Sequence, residues 1–376
     1  MKITILALHL GYGGIEKFIS NIANMFEENN KVEIISIYKL YDKPPFYINP
    51  NVKITYLLED MKPNRDEFYE SLKKFKVLEL IKQSYISLKI LYLKKYKMKQ
   101  AIKKIDSDVV ISTIEPHNKL LSKYGKKDSI KIATEHNYKN DDKKYIDNVV
   151  KSCKNLDYLV IASKQLANSY SKKMMNSNCK VINIPLTLDC MPEKTSELNN
   201  KVITYIGRLS EEKGVIDLIE VFKKIHDKDD EFRLNIVGDG ELKEKMIQKI
   251  SENHLENCAF MQGYKSKSEL EEIMLNTSIG INTSYTESFG LALMETFSYG
   301  IPCVAFSSAE GAKEIIDNDK NGYIIENRNF EEMANKVVDL VNNKNKLTIF
   351  GRNAKEKSEQ FEVRNIKEKW FNLINK

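Results

Sequence analysis

Two carboxylates eight residues apart, Glu287 and Glu295, bracket the run Ser288-Phe289-Gly290-Leu291. Phe289, Leu293, Met294 and Phe297 recur at helical spacing, and Gly300 followed by Pro302 ends the pattern. Ser288 is the expected N-cap, which places Glu287 in a loop and Glu295 in the second helical turn. Backbone amides near Ser288 to Leu291, together with the helix dipole, then form an anion site. An anion site with a carboxylate on each side suits a ligand that is part phosphate and part polyol, which describes a sugar nucleotide.

Other residues can serve the same chemistry. Arg208 and Lys213 flank the loop Gly207-Arg208-Leu209-Ser210-Glu211-Glu212-Lys213-Gly214. An arginine offers a planar fork for phosphate oxygens and a lysine a compact charge. Gly238 opens the turn Gly238-Asp239-Gly240, and Tyr264 follows Gly263. Near the start, Gly11-Tyr12-Gly13-Gly14 leads into a helix carrying Glu16 and Lys17, a turn of phosphate size without a Walker lysine. His136 closes an apolar β-branched run, Ile130 to Thr134.

These residues depend on elements that bring distant loops together. Apolar runs of strand length recur at 3–8, 32–38, 109–113, 130–134, 158–162 and 181–184, and again at 201–206, 232–237, 259–261, 279–283 and 302–306. Amphipathic helical stretches alternate with them, so the expected class is α/β with doubly wound parallel sheets. In such sheets the loops leaving the C-terminal strand ends share one edge, where ligands bind. Arg208, Lys213, Gly238, Glu287 and Glu295 all fall on loops or helix starts of that kind. The polar stretch 187–200 reads as a linker between two Rossmann-like domains, 1–186 and 187–352. A charged helical stretch at 353–376, with Phe361, Ile366, Trp370 and Phe371, is expected to pack back on the first domain. Residues 39–65, with four prolines, read as loop.

The 376-residue chain is long for one core, and its 42% apolar and 30% charged residues fit a soluble globular protein. Five cysteines without CxxC spacing fit a reduced cytoplasmic setting. No apolar run reaches the ~20 residues of a membrane span. Asp106-Ser107-Asp108 and Asp317-Asn318-Asp319 precede strands, on the edge away from the site, so no metal or other cofactor is expected. Between Lys73 and Lys104 stand eleven lysines and one acid, Glu79, interleaved with aliphatic and tyrosine residues. Two readings stay open: a basic amphipathic surface for anionic lipid, or two core-packed helices with a solvated lysine face. No nucleic-acid motif accompanies the lysines.

The motifs Ile206-Gly207-Arg208-Leu209 through Lys213-Gly214, Val237-Gly238-Asp239-Gly240, and Glu287-Ser288-Phe289-Gly290 through Glu295 resemble the retaining GT-B glycosyltransferases of family 4, glycosyl transferases group 1, of the bacterial surface-glycan type. Gly13-Gly14-Ile15-Glu16-Lys17 and His136 are similar to that family more loosely. The resemblance implies two Rossmann-like domains facing a central cleft, and a metal-independent hexosyltransferase that retains anomeric configuration. It implies a UDP-sugar donor, such as UDP-GlcNAc, UDP-Gal or UDP-Glc, and a lipid-linked glycan or cell-surface polymer acceptor, at the cytoplasmic face of the membrane. By the same resemblance Glu295 binds the ribose hydroxyls, Glu287 and His136 contact the donor sugar, and Arg208 and Lys213 hold the diphosphate. Gly13, Gly14, Gly238, Tyr264, Ser288, Phe289, Gly290 and Leu291 then belong to the donor site, with Glu16 and Lys17 on the acceptor side. The competing readings are a nucleotide-sugar epimerase or hydrolase on the same fold, and a non-catalytic binding partner that keeps the fold.

Overall fold

The computed structural model describes residues 1–137, 142–188 and 191–375; Cys190 and part of the 187–200 linker lie outside them. The chain divides into two units. The first holds a seven-stranded sheet: β1 (Lys2–Ala7), β2 (Lys31–Tyr38), β3 (Lys53–Leu58), β4 (Val109–Ser112), β5 (Ile130–Glu135), β6 (Tyr158–Ile161) and β7 (Lys180–Asn183). Its order is β3-β2-β1-β4-β5-β6-β7, with every pair parallel. The second holds six strands: β8 (Val202–Ile206), β9 (Arg233–Val237), β10 (Ala259–Gly263), β11 (Ile279–Asn282), β12 (Cys303–Phe306) and β13 (Gly322–Ile325). They run β10-β9-β8-β11-β12-β13, again all parallel.

Parallel strands need helical crossovers, so both faces of each sheet are covered. The central strands accordingly carry apolar residues on both sides: β4, β11 and β12 are buried throughout. Helix Gly14–Glu27 supplies one cover, burying Phe18, Ile19, Ile22, Ala23 and Phe26 along a single stripe. In the second unit Val215–Lys228 buries Leu218, Ile219, Phe222 and Ile225 against the sheet. Strand order reverses between β1 and β4 in one unit and between β8 and β11 in the other. At such reversals neighbouring loops diverge and leave a crevice at the C-terminal strand ends.

Several elements differ from the sequence expectation. β3 lies inside the stretch read as loop. Pro44, Pro45, Pro50 and Pro63 flank it without entering it, and it forms the sheet edge. β13 and the helix Phe330–Asn342 complete the second sheet and its cover. The tail is two helices, Lys344–Glu359 and Val363–Ile374, with Trp370 and the residues after it in the first unit.

The lysine-rich stretch is mostly one helix, Val77–Lys104, following the shorter Arg65–Lys73. It buries Ile90, Met98 and Ile102, whereas Leu78, Ile81, Tyr85, Leu88 and Tyr92 are exposed, Leu78 at 84%. Core packing therefore accounts for only part of its apolar content.

Both Asp-x-Asp triplets are occupied by local partners. The Lys2 amide donates to Asp108 Oδ2 at 2.7 Å, and Lys126 Nζ lies 2.7 Å from Asp106 Oδ1. Lys357 and Lys346 pair with Asp317 and Asp319. Among the described residues no cluster of three or more His, Cys, Asp or Glu side chains has metal-holding geometry.

Candidate functional site

The crevice between β8 and β11 is built by backbone close approach. After β8 the chain passes through Gly207 and Arg208 to a 3-10 turn, Glu211–Lys213, and then Gly214. Gly214 has φ +60°, and a Cβ there would stand 2.1 Å from the Thr283 carbonyl oxygen at the end of β11. Gly238 meets Gly207 in the same way, with a Cβ 1.9 Å from the Gly207 oxygen. Both positions need glycine because two loops touch with no room for a side chain. The Gly207 amide donates to Val237 and the Gly238 amide to Gly263, so one ladder of bonds carries the edge from Gly207 across to Tyr264. Tyr264 itself is exposed beyond the outermost strand.

The loop after β11 is tied to this turn. The Tyr285 amide donates to the Glu212 carbonyl at 2.8 Å, and the Thr286 amide to the same oxygen at 3.4 Å. Lys213 Nζ then lies 2.7 Å from Glu287 Oε2, with their side chains 22% and 17% exposed. The residues that the family resemblance assigns to the diphosphate and to the sugar therefore form a direct ion pair. Arg208 differs: it is exposed, and its guanidinium makes no hydrogen bond or ion pair among the described residues. Its fork is open to a ligand, whereas Lys213 is shared.

Helix Leu291–Ser298 begins two residues later than a Ser288 cap implies. Its N-cap is Gly290, at φ +100°, a conformation that disfavours any side chain. The turn is forced from the other side: the Gly311 amide donates to the Glu287 carbonyl at 2.8 Å, and a Cβ at Gly311 would fall 2.3 Å from the Phe289 nitrogen. The amides at the start of the helix without a partner in it are thus those of Leu291, Ala292 and Leu293. Glu295 lies one turn further on, half-buried. Two hydroxyls of the same loops, Ser210 Oγ and Ser284 Oγ, are buried without a hydrogen-bond partner.

In the first unit the β1 loop ends at Gly13, the N-cap of Gly14–Glu27. Glu16 is buried in its first turn, with its Oε1 3.2 Å from His9 Nδ1; no motif or spacing marks His9 in the sequence. Lys17 follows in the same turn, its amide donating to the Gly13 carbonyl. His136 follows β5. Its Nε2 is 2.7 Å from Thr134 Oγ1, and its ring centroid is 4.5 Å from that of Phe18. Burial pushes the imidazole down to about 4, so at neutral pH His136 is an uncharged hydrogen-bonding group.

Residues 190–357 match the family model described as glycosyl transferases group 1. Over those residues the second unit resembles glycosyl transferases group 1. A poly(ribitol-phosphate) alpha-N-acetylglucosaminyltransferase of Staphylococcus aureus is 34% identical over 176 residues, 46% of this chain; those residues are 35% of that relative's length. An uncharacterized glycosyltransferase of Haemophilus influenzae is 26% identical over 383 residues, 99% of either chain. The crystal structure of S. aureus TarM with fondaparinux, alpha-GlcNAc-glycerol and UDP superposes with a TM-score of 0.80 at 18% identity, covering 100% of both chains. That likeness shows the fold: with two Rossmann-like parallel-sheet units this chain has the GT-B fold. One polar residue beside this candidate site, Arg328, went unmarked in the sequence. It follows β13, a strand the apolar pattern did not reveal, and no glycine marks its turn.

Proposed function

We propose that this chain is a retaining glycosyltransferase that moves a sugar from a UDP-sugar to a glycan or polymer of the bacterial cell surface. The observation that carries the reading is the Lys213–Glu287 pair at the β8/β11 crevice, beside the open Arg208 fork and the start of helix Leu291–Ser298. Relatives named as polymer glycosyltransferases and a neighbour solved with UDP support the donor and acceptor classes.

The chemistry follows from charge. As the anomeric C–O bond breaks, its electron pair goes to the β-phosphate oxygen. Arg208, Lys213 and the amides of Leu291 to Leu293 stabilise that developing charge, with no divalent ion needed for the task. Glu287 faces the sugar, where it orients a hydroxyl or favours the positive character of the ring. Glu295 accepts hydrogen bonds from the ribose hydroxyls. The acceptor oxygen bonds the anomeric carbon on the face the phosphate leaves, and its proton passes to the departing phosphate, so no protein nucleophile is required. For the first unit the reading assigns His136, uncharged, a hydrogen bond to the sugar, Gly13 and Gly14 to the donor, and Glu16 and Lys17 to the acceptor.

Thermal denaturation across a panel of nucleotide sugars tests the donor. The matching UDP-sugar, at 100 times its Kd, should stabilise the second unit by about 2.7 kcal/mol. No shift with any nucleotide or nucleotide sugar would overturn the reading. Fast consumption of that donor without an acceptor would move the assignment to an epimerase or hydrolase.

We also place the protein at the cytoplasmic membrane face, through Val77–Lys104. No helix among the described residues is long and apolar enough to cross a membrane. Leu78, Ile81, Tyr85, Leu88 and Tyr92, exposed at three- and four-residue steps, instead form a stripe among lysines. Each lysine near an anionic surface contributes about 1 kcal/mol. Flotation with phosphatidylglycerol vesicles at physiological salt should carry the protein upward, and neutralising the lysines should leave it at the bottom. Flotation unchanged by that neutralisation, or none in the wild type, would refute the membrane contact.

A further inference from the structure

Arg328 stands where the chain turns out of β13, and it is held in an unusual backbone. Asn327 and Arg328 both have positive φ, +53° and +50°. Neither is glycine, so each conformation costs free energy and persists only where the surroundings fix it. The surroundings here are the arginine's own bonds. Nη1 donates to the Ser284 carbonyl at 3.1 Å and to Ser308 Oγ at 2.9 Å. Nη2 donates to the Thr283 carbonyl at 2.9 Å and pairs with Asp217 Oδ2. The guanidinium carbon lies 3.8 Å from the Tyr285 ring centroid, and Tyr285 Oη donates to the same Asp217 oxygen at 2.8 Å.

The four bonds engage both terminal nitrogens twice. Unlike Arg208, this guanidinium has no fork left for a phosphate. What it grips is informative. Thr283 and Ser284 begin the loop that carries Glu287. Asp217 lies in the first turn of the helix that follows Lys213 and Gly214. A Cβ at Gly214 would itself fall 3.1 Å from Arg328 Nη2. One side chain therefore ties together the two loops whose tips meet as Lys213 and Glu287.

We propose that Arg328 is a positioning residue of the transfer reaction, setting the register of the Lys213 and Glu287 loops through Thr283, Ser284 and Asp217 without touching the donor. The inference rests on the reading of Lys213 and Glu287 given above. Its chemical basis is the planar fork, which a lysine cannot reproduce.

The test is a double-mutant cycle on the full chain. R328K carries the same backbone cost as the parent and removes the fork. With the UDP-sugar chosen by the thermal screen, R328K should lower kcat about 100-fold, while its Kd for UDP alone stays within about threefold, because a misplaced carboxylate harms the sugar step more than nucleotide binding. If Arg328 acts through Glu287, adding R328K to E287Q should cost little beyond E287Q alone. Losses that multiply, or wild-type kcat in folded R328K, would overturn the proposal. Should R328K fail to fold at the assay temperature, D217N enters the same cycle with the same expected non-additivity. The donor-site reading fails separately, if E287Q by itself keeps wild-type turnover.

Discussion

Replacing Lys213 with alanine should lower sugar transfer by about 10²–10³-fold, the usual cost of removing one group that stabilises charge developing in a transition state. The geometry makes the expectation sharper than a lost cation alone. Lys213 Nζ is 2.7 Å from Glu287, and both side chains are largely enclosed. On the proposed reading, the diphosphate entering the wild-type site meets an ammonium already balancing a carboxylate. In K213A it meets the carboxylate unopposed, so UDP affinity falls through repulsion as well as through the missing bond. The double variant K213A/E287Q removes that repulsion. It should recover part of the UDP affinity lost in K213A, while transfer stays low because Glu287 no longer faces the sugar. Calorimetric titration with UDP, turnover, and circular dichroism for the fold read these three outcomes. Wild-type transfer by a folded K213A, or UDP binding no better in the double variant than in K213A, would refute the roles assigned to the pair.

The second-unit site was legible because its parts follow strands that alternate cleanly with helices. Gly207, Gly214 and Gly238 mark the turns, and the close approaches at Gly214 and Gly238 explain why glycine stands there. Local pattern misplaced the helix start. Ser288 has the chemistry of a cap, but the Gly311 backbone packs on the Ser288–Phe289 peptide and postpones the first turn to Gly290. That contact comes from a loop more than twenty residues away, which no window of sequence contains. Arg328 was hidden for a similar reason. An arginine after a tyrosine-bearing strand looks like a surface cation, and only the fold shows its bonds to Thr283, Ser284 and Asp217. β3 was missed because prolines on both sides outweighed the apolar run between them. For Val77–Lys104 apolar content alone left open whether the stretch packs on the core or presents a basic amphipathic surface; its 3-4 stripe of leucine, isoleucine and tyrosine is largely exposed.

Trp370→Ala should destabilise the first unit by about 3–5 kcal/mol, the range for truncating a buried aromatic to alanine. Trp370 is the chain's one tryptophan and is 1% exposed. Its ring meets Phe26 edge-on at 5.9 Å and lies 6.2 Å from Phe18, while the next residue, Phe371, lies 5.8 Å from Phe26. Phe18 in turn is 4.5 Å from His136. The end of helix Val363–Ile374 thus fills the space beneath Gly14–Glu27 and supports the ring on which His136 rests. A cavity there cannot close easily, because Phe18 and Phe26 are fixed along one rigid helix. For a unit of this size the loss corresponds to a drop of roughly 6–20 °C in its melting temperature, at about 2–4 °C per kcal/mol. Calorimetry should therefore find one transition lowered while the transition raised by UDP-sugar keeps its position. Trp370→Phe, which retains an aromatic ring against Phe26, should restore most of the difference. Equal movement of both transitions, or no movement in Trp370→Ala, would mean that the tail helix does not hold the first unit's core in place.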